Sequence, residues 1–279
     1  MKPGIVFVFC CLLISIILPV CVRPAAAGAG QAAGNSENVR IFNQAGQFFR
    51  QAGEIVATDP QQAEKLYRKA LIRYRKLIDA GVANGKLYYD IANTYDRLGD
   101  IGRAIANYRR AQRFMPDDEN LRHNLNYVLN QRQDKIELKE KEKVLKTLFF
   151  WHYDLPYPVR AAIFAVFYIL FWILLLVRFR KKGGLVHWGL ALSLFVSAAT
   201  MTSLVVERRA EAGHRPGVVV APEVIARKGD GTSYQPSFNQ PLHAGTECTL
   251  LAERGNWLQV ELADGSRTWL PKDSVSFVY

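Results

Sequence analysis

Residues 88–116, YYDIANTYDRLGDIGRAIANYRRAQRFMP, leave this chain few options. Apolar and small residues recur at helical spacing in two runs, Tyr88, Ile91, Ala92 and Tyr95, then Ala104, Ile105, Tyr108 and Ala111. Gly99-Asp100 separates the runs and Pro116 ends the second. Glycine accepts the left-handed geometry that terminates a helix, so the spacing predicts two antiparallel helices with a tight turn. Ala92, Ala104 and Ala111 let the helices approach closely, and Tyr88, Tyr95 and Tyr108 fill the space beside the next pair.

A hairpin of this kind cannot bury its own faces, so neighbours are expected. Upstream, Phe42, Ala45, Gly46, Phe49 and Gly53 fit one helix, and Ala63, Tyr67 and Ala70 fit its partner. The turn around Thr58-Asp59-Pro60 is long, and residues 71–80 extend the second helix past the pattern. Downstream, Leu121, Leu125 and Val128 continue the register as a capping helix. About five helices are expected over residues 36–133. Counted from Gly85, residues 88–116 resemble a tetratricopeptide repeat of 34 residues. That resemblance implies a concave groove lined by the first helix of each pair. Its candidate partner-binding residues are Lys86, Tyr89, Asn93, Asp96 and Arg97, then His123, Asn124 and Tyr127. Asn93 and Asn124 occupy positions where some repeat proteins hold a peptide backbone or terminal carboxylate, while Tyr89 stands where that clamp has Lys.

The N-terminus reads as targeting rather than fold. Lys2, an apolar run over residues 5–20 and Ala25-Ala26-Ala27 give a secretory signal over residues 1–27. Cleavage near Ala27 competes with lipidation at Cys21, which Val20 disfavours by its bulk. Cys10, Cys11 and Cys21 lie within this segment, so Cys248 is the one cysteine beyond it and is expected as a small buried residue in a strand.

Two apolar stretches, residues 159–177 and 185–206, are long enough to cross a bilayer, which takes about 20 helical residues. Arg160 and Arg178 bound the uninterrupted apolar part of the first, residues 161–177, and Phe149, Phe150, Trp151, Tyr153 and Tyr157 precede it as an interfacial belt. Arg178, Arg180, Lys181 and Lys182 crowd the connecting residues 178–184, which places that loop in the cytoplasm. With the signal, this sends both the repeats and the C-terminal segment to the periplasmic side of a bacterial inner membrane. His187, near the end of the second span, reads as an interfacial histidine rather than a proton relay. Residues 134–158 read as a charged juxtamembrane linker, opening with a solvated helix over residues 133–144.

The chain carries 36 Lys and Arg against 25 Asp and Glu, a formal charge of +11. Residues 61–146 hold 19 and 12 of these, a net of +7. Export argues against nucleic acid as the target, and no stacking or groove-reading motif accompanies the charge. Anionic headgroups or an acidic protein account for it better.

After Pro216 the pattern alternates. Residues 217–221, 223–227, 247–253, 257–262 and 267–270 read as strands, residues 227–245 as a long loop, and Gly255-Asn256 and Asp264-Gly265 as tight turns. The segment GNWLQVELADGSRTWLP resembles a bacterial SH3 domain, here residues 216–279, with Trp257 and Trp269 at its two characteristic tryptophans. Thr268 stands where such domains place Gly. Core packing and ligand binding are both open for the two tryptophans. The fold expectation is therefore multi-domain: all-α repeats, two membrane helices and a small all-β barrel.

Signal peptide, repeats, two spans and an SH3-like module together resemble BatE-like proteins of the Bat aerotolerance group. The resemblance implies von Willebrand A-domain membrane proteins and a MoxR-type ATPase as associates, and a scaffold role with no cofactor. No phosphate loop, HExxH or Ser/His/Asp arrangement suggests catalysis. Peptidoglycan is the alternative ligand, through the SH3-like module.

Overall fold

The computed structural model describes residues 29–136, 149, 151, 155, 157–180, 183–213 and 215–278. The expected signal segment, most of the charged linker, Phe150, Tyr153 and Lys181-Lys182 lie outside the described residues. Among the described residues five helices come first: α1 Ala29–Ile55, α2 Pro60–Asp79, α3 Gly85–Arg97, α4 Ile101–Phe114 and α5 Glu119–Asn130. The last four are stopped and started by readable chemistry. Asp59, Asn84, Asp100 and Asp118 each accept a hydrogen bond from the backbone N–H three residues on, at 2.8–3.0 Å. Such N-caps are worth about 1 kcal/mol each. Gly99, at φ 73°, makes the turn between α3 and α4.

The helices pack as antiparallel neighbours, α1 on α2 and α3 on α4, with α5 against α4. Ala45, Ala52, Ala63, Ala70, Ala92, Ala104 and Ala111 are all fully buried, so the helix axes lie close where these small residues meet. Tyr74 and Tyr108 fill the spaces between.

Two long apolar helices follow, α6 Tyr157–Arg180 and α7 Gly184–Gly213. By length and by mean hydropathy, 2.5 and 1.9, both can cross a membrane. Both exceed the expected spans, because the flanking charged residues continue the helix instead of ending it. The α7 face against α6 carries Ser193, Ser197, Thr200 and Ser203, all buried. Small residues allow the close backbone approach that stabilises helix pairs without help from water exclusion. Arg160 of α6 is buried and donates to Ser203 Oγ at 2.8 Å. The outer faces stay apolar and exposed at Ile169, Ile173, Leu192 and Phe195.

The remaining chain is an antiparallel sheet. Its strands are β1 Arg215–Val219, β4 Glu247–Arg254, β5 Trp257–Leu262, β6 Arg267–Pro271 and β7 Val275–Phe277, in the order β6-β5-β4-β1-β7. A small ladder pairs β2 Glu223–Val224 with β3 Leu242–His243. Gly255 and Gly265, at φ 55° and 80°, form the turns the sequence predicts. Val219, Leu258, Val260, Leu262, Leu270 and Cys248 make the core. Burial pushes the Cys248 thiol up to about 12, helped by the Glu247 charge, so the group is inert at neutral pH.

The sheet is docked on α4, and this the sequence did not reveal. Val218 and Val278 belong to the helical core rather than to the sheet's own. Arg109 Nε donates to Glu247 Oε1 at 2.7 Å, and Arg132 Nη1 reaches Glu247 Oε2 at 3.2 Å. Arg110 Nη2 donates to Ser276 Oγ at 2.8 Å and to the Phe277 carbonyl. Burial lowers the Arg110 pKa from its ordinary value, opposed by the Tyr88 and Tyr95 hydroxyls. Gly102 faces the sheet backbone: a Cβ there would sit 2.5 Å from Val219 O.

The expected helix over residues 133–144 needs correction at its start. Residues 133–136 are not helical. Asp134 Oδ2 accepts from the His243 N–H at 2.6 Å and from Thr246 Oγ1 at 2.7 Å, and His243 Nδ1 lies 2.9 Å from Oδ1. Three local partners outcompete a solvated helical position for that carboxylate. Burial alone would raise the Asp134 pKa, but hydrogen bonds from Thr246 and from the backbone and ring of His243 outweigh it and hold the carboxyl below its ordinary value. A depressed folded pKa stabilises the fold fully above the unfolded value of about 4, and the gain is lost as pH falls through the lower folded value. Urea unfolding of the wild type should therefore weaken more steeply below about pH 4 than that of Asp134→Asn. Parallel acid limbs would remove this role.

Candidate functional site

The groove begins with α3. Lys86, Tyr89, Asn93 and Arg97 recur on α3 at helical spacing, outside the buried positions Leu87, Ile91, Ala92 and Tyr95. Lys86 Nζ bonds Asp90 Oδ1 at 3.0 Å and lies 5.5 Å from the Tyr89 ring centre. Burial raises the Asp90 pKa from its ordinary value, with the Lys86 hydrogen bond opposing the shift.

The two asparagines expected to hold a ligand are brought together. Asn93 Oδ1 accepts from Asn124 Nδ2 at 3.1 Å and from Tyr108 OH at 2.6 Å, while Asn124 Nδ2 also reaches Tyr89 OH at 2.9 Å. The network ties α3, α4 and α5 at one level of the groove. It fixes both amides in orientation, and among the described residues no hydrogen bond uses Asn93 Nδ2 or Asn124 Oδ1. One amide donor group, on Asn93, and one amide acceptor, on Asn124, are thus left outside the network. Tyr108 was expected only as a spacer; its hydroxyl is a working part of this network.

His123, Tyr127 and Arg97 are exposed, Tyr127 by 60%, and none of them lines the cavity beside Asn93. Asp96 is half-buried, and burial raises its pKa against the opposing Arg97 charge. Toward the N-terminus the groove deepens into a cavity of about 210 Å³ lined by Gly46, Phe49, Arg50, Tyr74, Lys86, Asp90 and Asn93. Arg50 and Tyr74 escaped the sequence reading because the first hairpin departs from the repeat spacing. The spacing of Gly46 and Arg50 with Phe49 was the available signal.

The two tryptophans of the sheet do not form one site. Register places Trp257 opposite Pro271 and Trp269 opposite Gln259, so both project from the face away from Leu258 and Leu270. Trp257 lines a depression of about 770 Å³ with Glu223, Ile225, Arg227, Lys272 and Asp273. Trp269 does not line it. Its backbone pairs with Arg227 in both directions, and the Arg254 guanidinium lies 5.5 Å from its ring centre. Thr268 is buried and donates to the Arg227 carbonyl or Ser237 Oγ, at 3.0 and 2.8 Å, so this position carries structure. His187 Nδ1 sits 3.0 Å from the Gly183 carbonyl, at the start of α7.

Among the described residues no three His, Cys, Asp or Glu side chains cluster in a way that would hold a metal ion. Compared with known protein families, curated proteins and solved structures, the chain matches none.

Proposed function

We propose that the chain is a non-enzymatic, membrane-anchored scaffold whose tetratricopeptide-type groove binds an extended segment of a partner protein. The observation that carries this reading is the Tyr89–Asn93–Tyr108–Asn124 network, which spends three hydrogen bonds on orienting two amides beside an open cavity. Catalysis would need an acid, base or nucleophile poised in that groove; of its two half-buried carboxylates, Asp90 is tied to Lys86 and Asp96 lies beside the Arg97 charge. The full architecture supports a BatE-like protein of the inner membrane, with helical head and SH3-like module both periplasmic and von Willebrand A-domain membrane proteins as the partners. Docking of the sheet on α4 supports the topology, since both bodies must then lie on one side of the bilayer.

Partner retention during detergent purification tests the reading. Asn93→Ala with Asn124→Ala should reduce it at least tenfold, as loss of about two hydrogen bonds to a bound peptide implies. These residues also brace the helices, so Lys86→Ala with Arg50→Ala provides a variant at the cavity that spares the network. Full retention by both variants would end the groove reading. A second reading, a cell-wall sensor, draws on the Trp257 depression; binding of peptidoglycan fragments lost on Trp257→Ala would favour it.

A further inference from the structure

The solvent face of α2 has no role in the groove, in the helical core or in the docked sheet. Lys65, Arg68, Lys69, Ile72, Arg73 and Lys76 fall at helical spacing on one stripe, opposite the buried Ala63, Leu66, Tyr67, Ala70, Tyr74 and Leu77. Ile72, at its centre, is 66% exposed. Among the described residues Arg68 is the one member of the stripe in an ion pair, with Glu64 at 2.7 Å. Arg73 lies 4.4 Å from the Phe48 ring centre, which steadies it without cancelling its charge. Among the described residues Lys65, Lys69 and Lys76 make no ion pair. A cationic strip around one exposed aliphatic side chain complements an anionic surface with an apolar interior.

What lies within reach selects among such surfaces. α7 runs without a break from its apolar stretch, ending at Val206, to Gly213, and β1 starts at Arg215. Seven helical residues span about 10 Å. The sheet is thus tied to the bilayer by a short, largely helical stem, and its seam with α4 carries the other helices with it. Anionic headgroups are therefore always close to the head, at an effective concentration no diffusing protein matches.

We propose that the basic face of α2 docks on anionic lipid headgroups, holding the head down on the membrane with Ile72 at the acyl boundary. This rests on α6 and α7 crossing a bilayer. Each basic residue at such a surface adds about one kcal/mol of attraction, within a screening length of about 8 Å, so removing three should lower the docked-to-undocked ratio on the order of a hundredfold.

The full chain, with a fluorescent amino acid replacing Ile72, would be placed in nanodiscs of phosphatidylcholine alone or with phosphatidylglycerol. Co-elution with the discs reports membrane insertion separately, so failure to insert is distinguishable from failure to dock. The expected result is blue-shifted emission, quenched by headgroup spin labels, in phosphatidylglycerol discs only. Lys65→Gln, Lys69→Gln and Lys76→Gln together, or high salt, should abolish it; these side chains are exposed and their loss leaves the fold intact. A water-like spectrum in phosphatidylglycerol discs would overturn the proposal. So would a shift seen only with an added acidic protein, which would reassign the face to a protein partner.

Discussion

Gly102→Ala weakens the seam between helices and sheet. In an exposed helix this change stabilises by about 1 kcal/mol, because alanine costs less backbone entropy than glycine. Here the new Cβ meets Val219 O at 2.5 Å and Val220 Cα at 2.9 Å. Both are backbone atoms, at the end of β1 and one residue beyond it, held by the hydrogen bonds of Val219 O with the Gly245 N–H and of the Val220 N–H with Ser274 O, and cannot swing aside. Overpacking of this kind costs about 1–3 kcal/mol. The net expectation is a docked state about 2 kcal/mol weaker, with the helices themselves no less stable. Hydrogen exchange should rise at Val219, Val220 and Gly245, while amides in the middle of α3 keep their protection. The opposite sign of the two effects makes the test sharp: uniform stabilisation would mean that the sheet does not rest on α4.

Glu247→Ala should be as damaging by a different route. One carboxylate accepts from Arg109 through one oxygen and from Arg132 through the other. Each of the three side chains is 24–32% exposed, so neither the worth of a buried pair nor that of a surface pair applies unmodified. A loss of about 2 kcal/mol lies between those limits. Most of it comes from leaving two half-desolvated guanidinium groups without a counter-charge, Arg109 keeping only Gln112 Oε1 and Arg132 only the Leu129 carbonyl as acceptors among the described residues. Arg109→Ala and Arg132→Ala added to Glu247→Ala should therefore recover stability relative to Glu247→Ala alone, as read from urea midpoints of the full chain. Further loss on adding the arginine changes would show that the arginines pack rather than pair.

What the sequence made legible was local. Gly99, Asp100 and Pro116 punctuate α3 and α4 within a few residues, and Gly255 and Gly265 do the same for the strands. Ala92, Ala104 and Ala111 announced a close helix pair because spacing alone puts them on facing sides. The seam was not legible, because its partners lie far apart: Arg109 from Glu247 by 138 residues, and Arg110 from Phe277 by 167. In sequence each arginine is one charge among 36 Lys and Arg, and nothing local separates one that solvates from one that docks. Asp134 misled for the same reason. Its alternating-charge surroundings describe a solvated helix, and only the folded arrangement shows Thr246 and His243 waiting for it.

The candidate site divides along the same line. Asn93 and Asn124 were singled out from their repeat positions, and the structure sets their amides 3.1 Å apart. Tyr108 was assigned to packing, and the reach of its hydroxyl to Asn93 depends on how far α4 leans toward α3. Trp269 shows the converse. Its place in the SH3-like segment left both packing and ligand binding open, and the structure buries it, pairs its backbone with Arg227 and sets the Arg254 guanidinium 5.5 Å from its ring centre.

Photo-crosslinking of the full-length protein in its own membranes would test the scaffold reading most directly. A photoreactive residue replaces Tyr127, a candidate partner-binding residue on α5, in one experiment and Ile225 beside Trp257 in another, both exposed positions. The expected result is a discrete adduct at position 127 with a membrane protein, identified by mass spectrometry and lost with Lys86→Ala and Arg50→Ala. An adduct at position 225 with none at 127 would contradict the groove as the working surface and shift function to the sheet.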